Sequence, residues 1–166
     1  VNIFAEATFD AAHAVLKELP ADKWIIGGGA FVTSASKEAL EAGIDIAVID
    51  EGEAQIVDLL NLLMAYTEKI DQWDFTEWTR LYQKLGNIFG VAYLDANRNH
   101  VMTPHREYLR DLDQLPYPAW DLIERSLVAR ETHAHLAPGQ IQTTIFATRG
   151  CPFDCRFCNR EVGGRI

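Results

Sequence analysis

Cysteine is scarce in this sequence, and the few cysteines that it has stand close together. They are Cys151, Cys155 and Cys158, so none lies elsewhere in the chain to form a disulfide across a fold. A disulfide framework uses cysteines in pairs, and a closed zinc site has four ligands. Three clustered thiols therefore satisfy neither arrangement by themselves, and the absent fourth ligand needs an explanation.

Long apolar runs and basic residues are also scarce. No stretch approaches the roughly 18 uninterrupted apolar residues of a membrane span, and the opening VNIFAEATFD lacks the basic start of a signal peptide. Lys and Arg number 15 against 24 Asp and Glu, and the formal charge of −9 repels a phosphate backbone. General nucleic-acid binding is disfavoured, with a local basic groove left open. We expect a cytoplasmic protein without membrane contact, since clustered cysteines also fit a reducing compartment.

The chain has the composition of a folded globular protein. Of its 166 residues, 48% are hydrophobic and 23% are charged, which excludes general disorder. This length suits one ordinary domain, or one compact domain with part of another. Because the sequence opens on Val1 and not on Met, we expect a piece of a longer polypeptide.

An α/β fold is predicted from the alternation of two hydrophobic periods. Short β-rich runs cover residues 1–5, 23–28 and 44–49, and segments with helical spacing separate them. Thr8 is a candidate N-cap of the first helix, which Pro20 ends. We therefore expect a truncated doubly wound sheet, Rossmann-like or flavodoxin-like, with parallel strands covered on both faces.

The second half of the chain has a different pattern. Residues 71–84 predict a further helix, and two β-like runs around the turn residues 95–99 predict a hairpin. Residues 106–123 contain Pro116 and Pro118 and predict an extended connector. The β-like segment 141–150 leads directly into the cysteine loop.

A CxxxCxxC triplet suits a 4Fe-4S cluster. Three thiolates on one short loop can each bind a different iron, and the fourth iron stays open for an exogenous ligand. Two alternatives remain. Zinc would need a fourth ligand from a distant His or carboxylate, and buried inert cysteines would need no metal at all.

The cysteine loop resembles that of the radical S-adenosylmethionine (SAM) superfamily. In that family the first strand of a partial (β/α) barrel leads into a CxxxCx(aromatic)C loop, here Cys151, Cys155, Phe157 and Cys158. The resemblance implies that the three cysteines hold the cluster and that SAM chelates its open iron. One electron then cleaves SAM to a 5'-deoxyadenosyl radical. The resemblance also places Phe157 beside the adenine, whereas its simpler interpretation is a core contact.

Upstream segments resemble the cobalamin-binding subgroup of these enzymes. WIIGGGAFVTS, AGIDIAVIDEGEAQIVDLL and DLDQLPYPAWDLI occur in the order typical of that subgroup. Gly27, Gly28 and Gly29 end a predicted strand without side chains, so a corrinoid could approach the backbone there, although a short turn would use them equally well. Thr8 and Thr33 are candidate hydrogen-bond partners of the corrinoid tail, and either could instead cap a helix.

The resemblance implies three regions. Residues 1–70 form a partial cobalamin-binding domain, 71–140 a helix, a hairpin and a connector, and 141–166 the start of the radical SAM barrel. Methyl transfer is the chemistry most often implied, with a small-molecule or peptide substrate and an electron donor such as flavodoxin or ferredoxin. We expect this piece alone to be inactive. The alternative function is a non-catalytic zinc or iron-sulfur module that recognises a protein partner.

Overall fold

A computed structural model of the chain describes residues 6–20, 23–66, 74–122, 148–153 and 155–156. Two compact units are present, residues 1–108 with 150–166, and residues 109–149. The first unit contains, in chain order, α1 (Glu6–Glu18), β1 (Ile26–Gly27), α2 (Ala30–Ser34), α3 (Ser36–Glu41), β2 (Ile46–Val48), α4 (Glu53–Met64), α5 (Phe75–Leu85), β3 (Val91–Leu94) and β4 (His100–Met102).

The four described strands form one mixed sheet in the order β1-β2-β3-β4. Strand β1 is parallel to β2, with Ile26 opposite Ile46, whereas β3 is antiparallel to both β2 and β4. The expected α/β class is confirmed, but the expected all-parallel sheet is wrong. Two helices, α4 and α5, separate β2 from β3, and β3 is antiparallel to β2.

Strand β2 is buried on both faces of the sheet. Successive side chains of a strand point to opposite faces. In the segment that contains β2, Ala47 and Ile49 pack into one core cluster, and Ile46 and Val48 pack into the other. The first cluster takes its helical residues from α1, α2 and α3, and the second takes them from α4 and α5. This layering explains why 46–49 reads as a continuous apolar run.

The hairpin predicted around residues 95–99 is confirmed as β3 and β4, and it belongs to the same sheet as β1 and β2. Asp95 organises its turn by accepting hydrogen bonds from the amides of Asn97 and Asn99, both at 2.8 Å. The strand predicted over residues 1–5 lies outside the described residues, as does most of the one predicted over 141–150.

The helices also refine the sequence-based boundaries. Helix α1 begins at Glu6, so Thr8 lies inside it and the prediction that Thr8 is its N-cap is wrong. Helix α5 begins after Asp74, whose carboxylate accepts from the amides of Thr76 and Glu77 while the Glu77 side chain accepts from the Asp74 amide. This capping box explains why the helix begins at Phe75.

The described part of the second unit, residues 109–122, is mostly irregular, and the predicted connector stays a prediction. This part contains two single 3₁₀ turns, Leu112–Gln114 and Trp120–Leu122. Asp111 caps the first turn by accepting from the Asp113 amide at 3.1 Å. None of the helices in the described part of the chain has the length and apolar character needed to cross a bilayer.

Candidate functional site

The predicted glycine site lies at the edge of the sheet where β1 and β2 end. These strands are parallel, so the residues that follow them, Gly28–Gly29 and Ile49–Asp50, meet at one edge. Strand β4 runs in the same direction as β2, since both are antiparallel to β3. Residues that follow β4 therefore reach this edge too, which we call the carboxyl edge.

The three glycines have different structural reasons for lacking a side chain. A Cβ on Gly27 would lie 2.4 Å from Cδ1 of Ile44, so a side chain there would displace Ile44, and close packing supplies a reason for glycine. Gly29 has a φ of 105° at the start of α2, a conformation that side chains disfavour. A Cβ on Gly28 would make only ordinary contacts, 3.7 Å from Cβ of Val48. Gly28 is therefore the glycine for which neither packing nor backbone conformation supplies a reason.

Thr33 connects two of the segments at the carboxyl edge. It lies within α2, and its Oγ1 accepts a hydrogen bond from the Asp50 amide at 3.0 Å. The Thr33 hydroxyl hydrogen can still donate to a ligand, so its predicted contact with a corrinoid stays a prediction. The corresponding prediction for Thr8 concerns a side chain outside the described ones.

Asp50 is the centre of a polar cluster that the sequence did not reveal. Its φ of 64° is unusual for a residue other than glycine, and only 4% of its side chain is exposed. Asp50 Oδ2 lies 2.6 Å from His105 Nδ1, and the Tyr108 hydroxyl also donates to this carboxylate. Burial raises the pKa of Tyr108, and the negative charges of Asp50 and Glu51 raise it further.

The Asp50–His105 pair leaves one imidazole nitrogen available. A carboxylate oxygen only accepts hydrogen bonds, so His105 Nδ1 carries a hydrogen, and in the neutral ring Nε2 carries the lone pair. The side chain of His105 is 62% exposed, so solvent or a ligand can reach it. The arrangement is that of an oriented imidazole, able to accept a proton or to bind a metal ion.

Contacts on both sides of His105 hold it at this edge. Thr103 Oγ1 accepts from the Val91 amide at 3.0 Å and donates to the Val91 carbonyl at 3.1 Å. Arg106 forms an ion pair with Asp58 on α4. These contacts fix the segment that follows β4 and thereby restrict where the imidazole can lie.

The cysteine loop is described in part. Cys151 and Cys155 are free and exposed, and residues 148–153 and 155–156, which the structure describes here, include no helix or strand. Cys158 and Phe157 lie outside the described residues, so the geometry of the three thiols stays a prediction. Within the part of the chain that the structure describes, no group of three His, Cys, Asp or Glu side chains is arranged to hold a metal ion.

Comparison with known proteins gives one distant similarity. The chain is 24% identical over 168 residues to a protein named an uncharacterized methyltransferase from Pyrococcus horikoshii. The alignment covers 98% of this chain but 31% of that protein, so the chain spans about a third of the relative's length. No family model and no solved structure matches the chain.

The cluster around Asp50 could have been suspected from one local signal only. DEGE at 50–53 resembles the start of a helix, and α4 does begin at Glu53 with Gly52 as its N-cap. Nothing local indicates that Asp50 lies before the helix or that it pairs with a histidine 55 residues later. That pairing depends on β4 lying beside β3 in the same sheet.

Proposed function

We propose that this chain is part of a radical SAM enzyme that binds cobalamin and transfers a methyl group. The spacing of Cys151, Cys155 and Cys158 carries the proposal, because it supplies three thiolates for a 4Fe-4S cluster and leaves one iron open. The exposure of Cys151 and Cys155 in an irregular loop supports it, since thiolates must be accessible to bind a cluster. The name of the archaeal relative favours methyl transfer as the reaction.

Each cofactor has candidate residues in this chain. The three cysteines would hold the cluster, and Phe157 would lie against the adenine of SAM. When bound, the reduced cluster supplies the electron that cleaves the sulfonium bond of SAM. Gly28 leaves the backbone accessible at the carboxyl edge, where Thr33 and His105 offer hydrogen-bonding groups to a corrinoid. A substrate of small-molecule or peptide type and a flavodoxin or ferredoxin donor belong to the same proposal.

Cluster binding is tested on this chain by anaerobic reconstitution with iron and sulfide. We expect close to four irons and four acid-labile sulfides per chain, on the order of one cubane cluster. Replacing Cys151, Cys155 or Cys158 by Ala should each abolish most of this loading. Arg156→Ala is the matched control, because it changes the same loop without removing a thiol. Full iron loading of Cys155→Ala would contradict the proposal, and stoichiometric zinc would favour the non-catalytic module instead.

Cobalamin binding is tested separately at the glycine edge of the full-length protein. Gly28→Val places a branched side chain where the backbone is accessible and should weaken cobalamin binding, measured by absorbance titration. Gly28→Ala is the milder control, since its Cβ would make only ordinary contacts with Val48. Unchanged affinity of a folded Gly28→Val variant would support the simple-turn interpretation.

A further inference from the structure

A cleft of about 320 Å³ lies at the edge of the sheet opposite the carboxyl edge. Its lining includes Trp24 and Asp45, which precede β1 and β2, and Asp95, which follows β3. Trp78 and Tyr82 of α5 form another side. The cleft is therefore separate from Gly28 and Asp50, and the proposed cofactors do not account for it.

Aromatic rings form a continuous series along this cleft. Trp24 and Trp78 meet edge to face with centroids 6.0 Å apart, and Trp78 stacks with Tyr82 at 6.0 Å. Tyr82 stacks in turn with Tyr93 at 5.5 Å. The faces of such rings carry negative charge density and attract cations, most strongly in sites withdrawn from water.

Two carboxylates accompany the rings, and they differ in how their oxygens are used. Asp95 is occupied by its own turn, accepting from the amides of Asn97 and Asn99 and from the Asn99 side chain. Asp45 Oδ2 accepts from the Ile25 amide at 2.8 Å. Among the described residues, no donor is recorded for Asp45 Oδ1, and no cationic side chain forms an ion pair with Asp45. Asp45 is thus a carboxylate at the cleft with an acceptor oxygen still available.

Three charged side chains line the cleft, the carboxylates of Asp45 and Asp95 and the guanidinium of Arg98. Burial raises the pKa of Tyr82, and the charges of Asp95 and Asp45 raise it further. Arg98 acts in the opposite direction but does not cancel them. A desolvated carboxylate without an ion-pair partner favours a cation at this position.

We propose that this cleft binds a small organic cation, an amidinium or guanidinium group carried on a flat apolar body. The volume is within the range of small-molecule sites. The leucine and aromatic side chains of the lining suit the flat body, and Asp45 suits the charged group, because two parallel N–H donors can bind one carboxylate. An anionic ligand is disfavoured, because two carboxylates and one guanidinium line the cleft.

Benzamidinium is the probe, because benzamide is nearly the same shape without the charge and benzoate reverses it. Isothermal titration of the 166-residue chain should show saturable binding of benzamidinium, at least about tenfold tighter than that of benzamide. Benzoate should give no binding. In heteronuclear NMR spectra, benzamidinium should shift the indole signals of Trp24 and Trp78, assigned by Trp→Phe substitution at each position.

Asp45→Asn tests the role of the carboxylate while keeping an oxygen that can accept from Ile25. It should weaken benzamidinium binding about tenfold and leave benzamide unchanged. Glu107→Gln is the control, because it removes the same charge near His105 at the carboxyl edge. Urea unfolding of each variant checks the fold, and if Asp45→Asn does not fold, Trp78→Phe with the NMR titration replaces it.

The proposal is overturned by any of three results. Benzamide binding as tightly as benzamidinium would show that charge is not recognised. Unmoved Trp24 and Trp78 signals at saturating benzamidinium would place the binding elsewhere. Equal losses of benzamidinium affinity in Asp45→Asn and Glu107→Gln would show that the net charge of the chain, and not the Asp45 carboxylate, causes the loss. Each result is independent of iron loading, so the proposed enzyme function and this cleft are tested separately.

Discussion

Substituting Gly27 by Ala tests whether this glycine is required by core packing. The new Cβ would lie 2.4 Å from Cδ1 of Ile44, and 3.1 and 3.2 Å from its Cγ2 and Cγ1. Ile44 is only 3% exposed and packs within the first core cluster. Overpacking of this kind costs about 1–3 kcal/mol. For a chain of this size, that cost lowers the melting temperature by about 2–12 °C.

The assay is urea unfolding followed by tryptophan fluorescence. Gly28→Ala is the matched control, because its Cβ would lie 3.7 Å from the nearest heavy atom, Val48 Cβ, and should not lower the free energy of unfolding. Ile44→Val removes Cδ1 and costs about 0.5–1.5 kcal/mol by itself. Combined with Gly27→Ala, it removes the closest contact.

A double-mutant cycle then decides the question. We expect the double variant to be more stable than the sum of the single losses by about 1 kcal/mol, because the Ala methyl group occupies the space left by Cδ1. Additive losses, or a Gly27→Ala variant as stable as the parent, would refute the packing argument. In that case packing would not explain Gly27, and it would be, like Gly28, a candidate site for the approach of a ligand to the backbone.

Three further predictions concern other parts of the molecule. Asp74→Ala removes the capping box of α5 and should lower the free energy of unfolding by about 1 kcal/mol in urea; an unchanged midpoint would mean that α5 does not need its cap. Burial raises the pKa of Asp45 above its ordinary value. Between the unfolded and the folded pKa the native state binds more protons than the unfolded state, so the free energy of unfolding falls as pH rises through that range. The melting temperature of Asp45→Asn minus that of the parent should therefore increase between about pH 3 and about pH 7. A difference that does not change with pH would contradict this. Finally, the chain carries one predicted barrel strand, so with cluster and reductant it should not release 5'-deoxyadenosine over multiple turnovers, whereas the full-length protein should. Chromatography under both conditions measures this, and multiple turnovers by the chain would contradict it.

The α/β class was predictable because it rests on short-range patterns. Alternating periods of two and of three to four residues mark strands and helices before any tertiary contact forms. Pro20, shortly after the end of α1, and the turn residues between β3 and β4 act in the same local way. The outward face of α4 was less predictable. Leu60 and Met64 belong to its apolar pattern yet are 49% and 71% exposed, while the polar Gln55 is buried.

Other features depend on residues that are far apart in the chain. The sequence shows three adjacent glycines, but only the position of Ile44 distinguishes Gly27 from Gly28. The spacing of the cysteines, by contrast, is a local property that can be read without a structure. The proposal of a cluster therefore depends on the sequence, whereas the explanation of why glycine occupies positions 27 and 28 depends on the fold.

By itself, the sequence determined the element types, the hairpin turn and the grouping of three thiols, since each depends on residues within a few positions of one another. Only the tertiary structure decided the direction of β3, the contact between Asp50 and His105 and the aromatic cleft beside Asp45. The physical reason is that strand pairing joins segments by hydrogen bonds between backbones, which are alike in every residue. Which segments become neighbours is settled by how the two core clusters pack, and the polar contacts at the sheet edges follow from that packing.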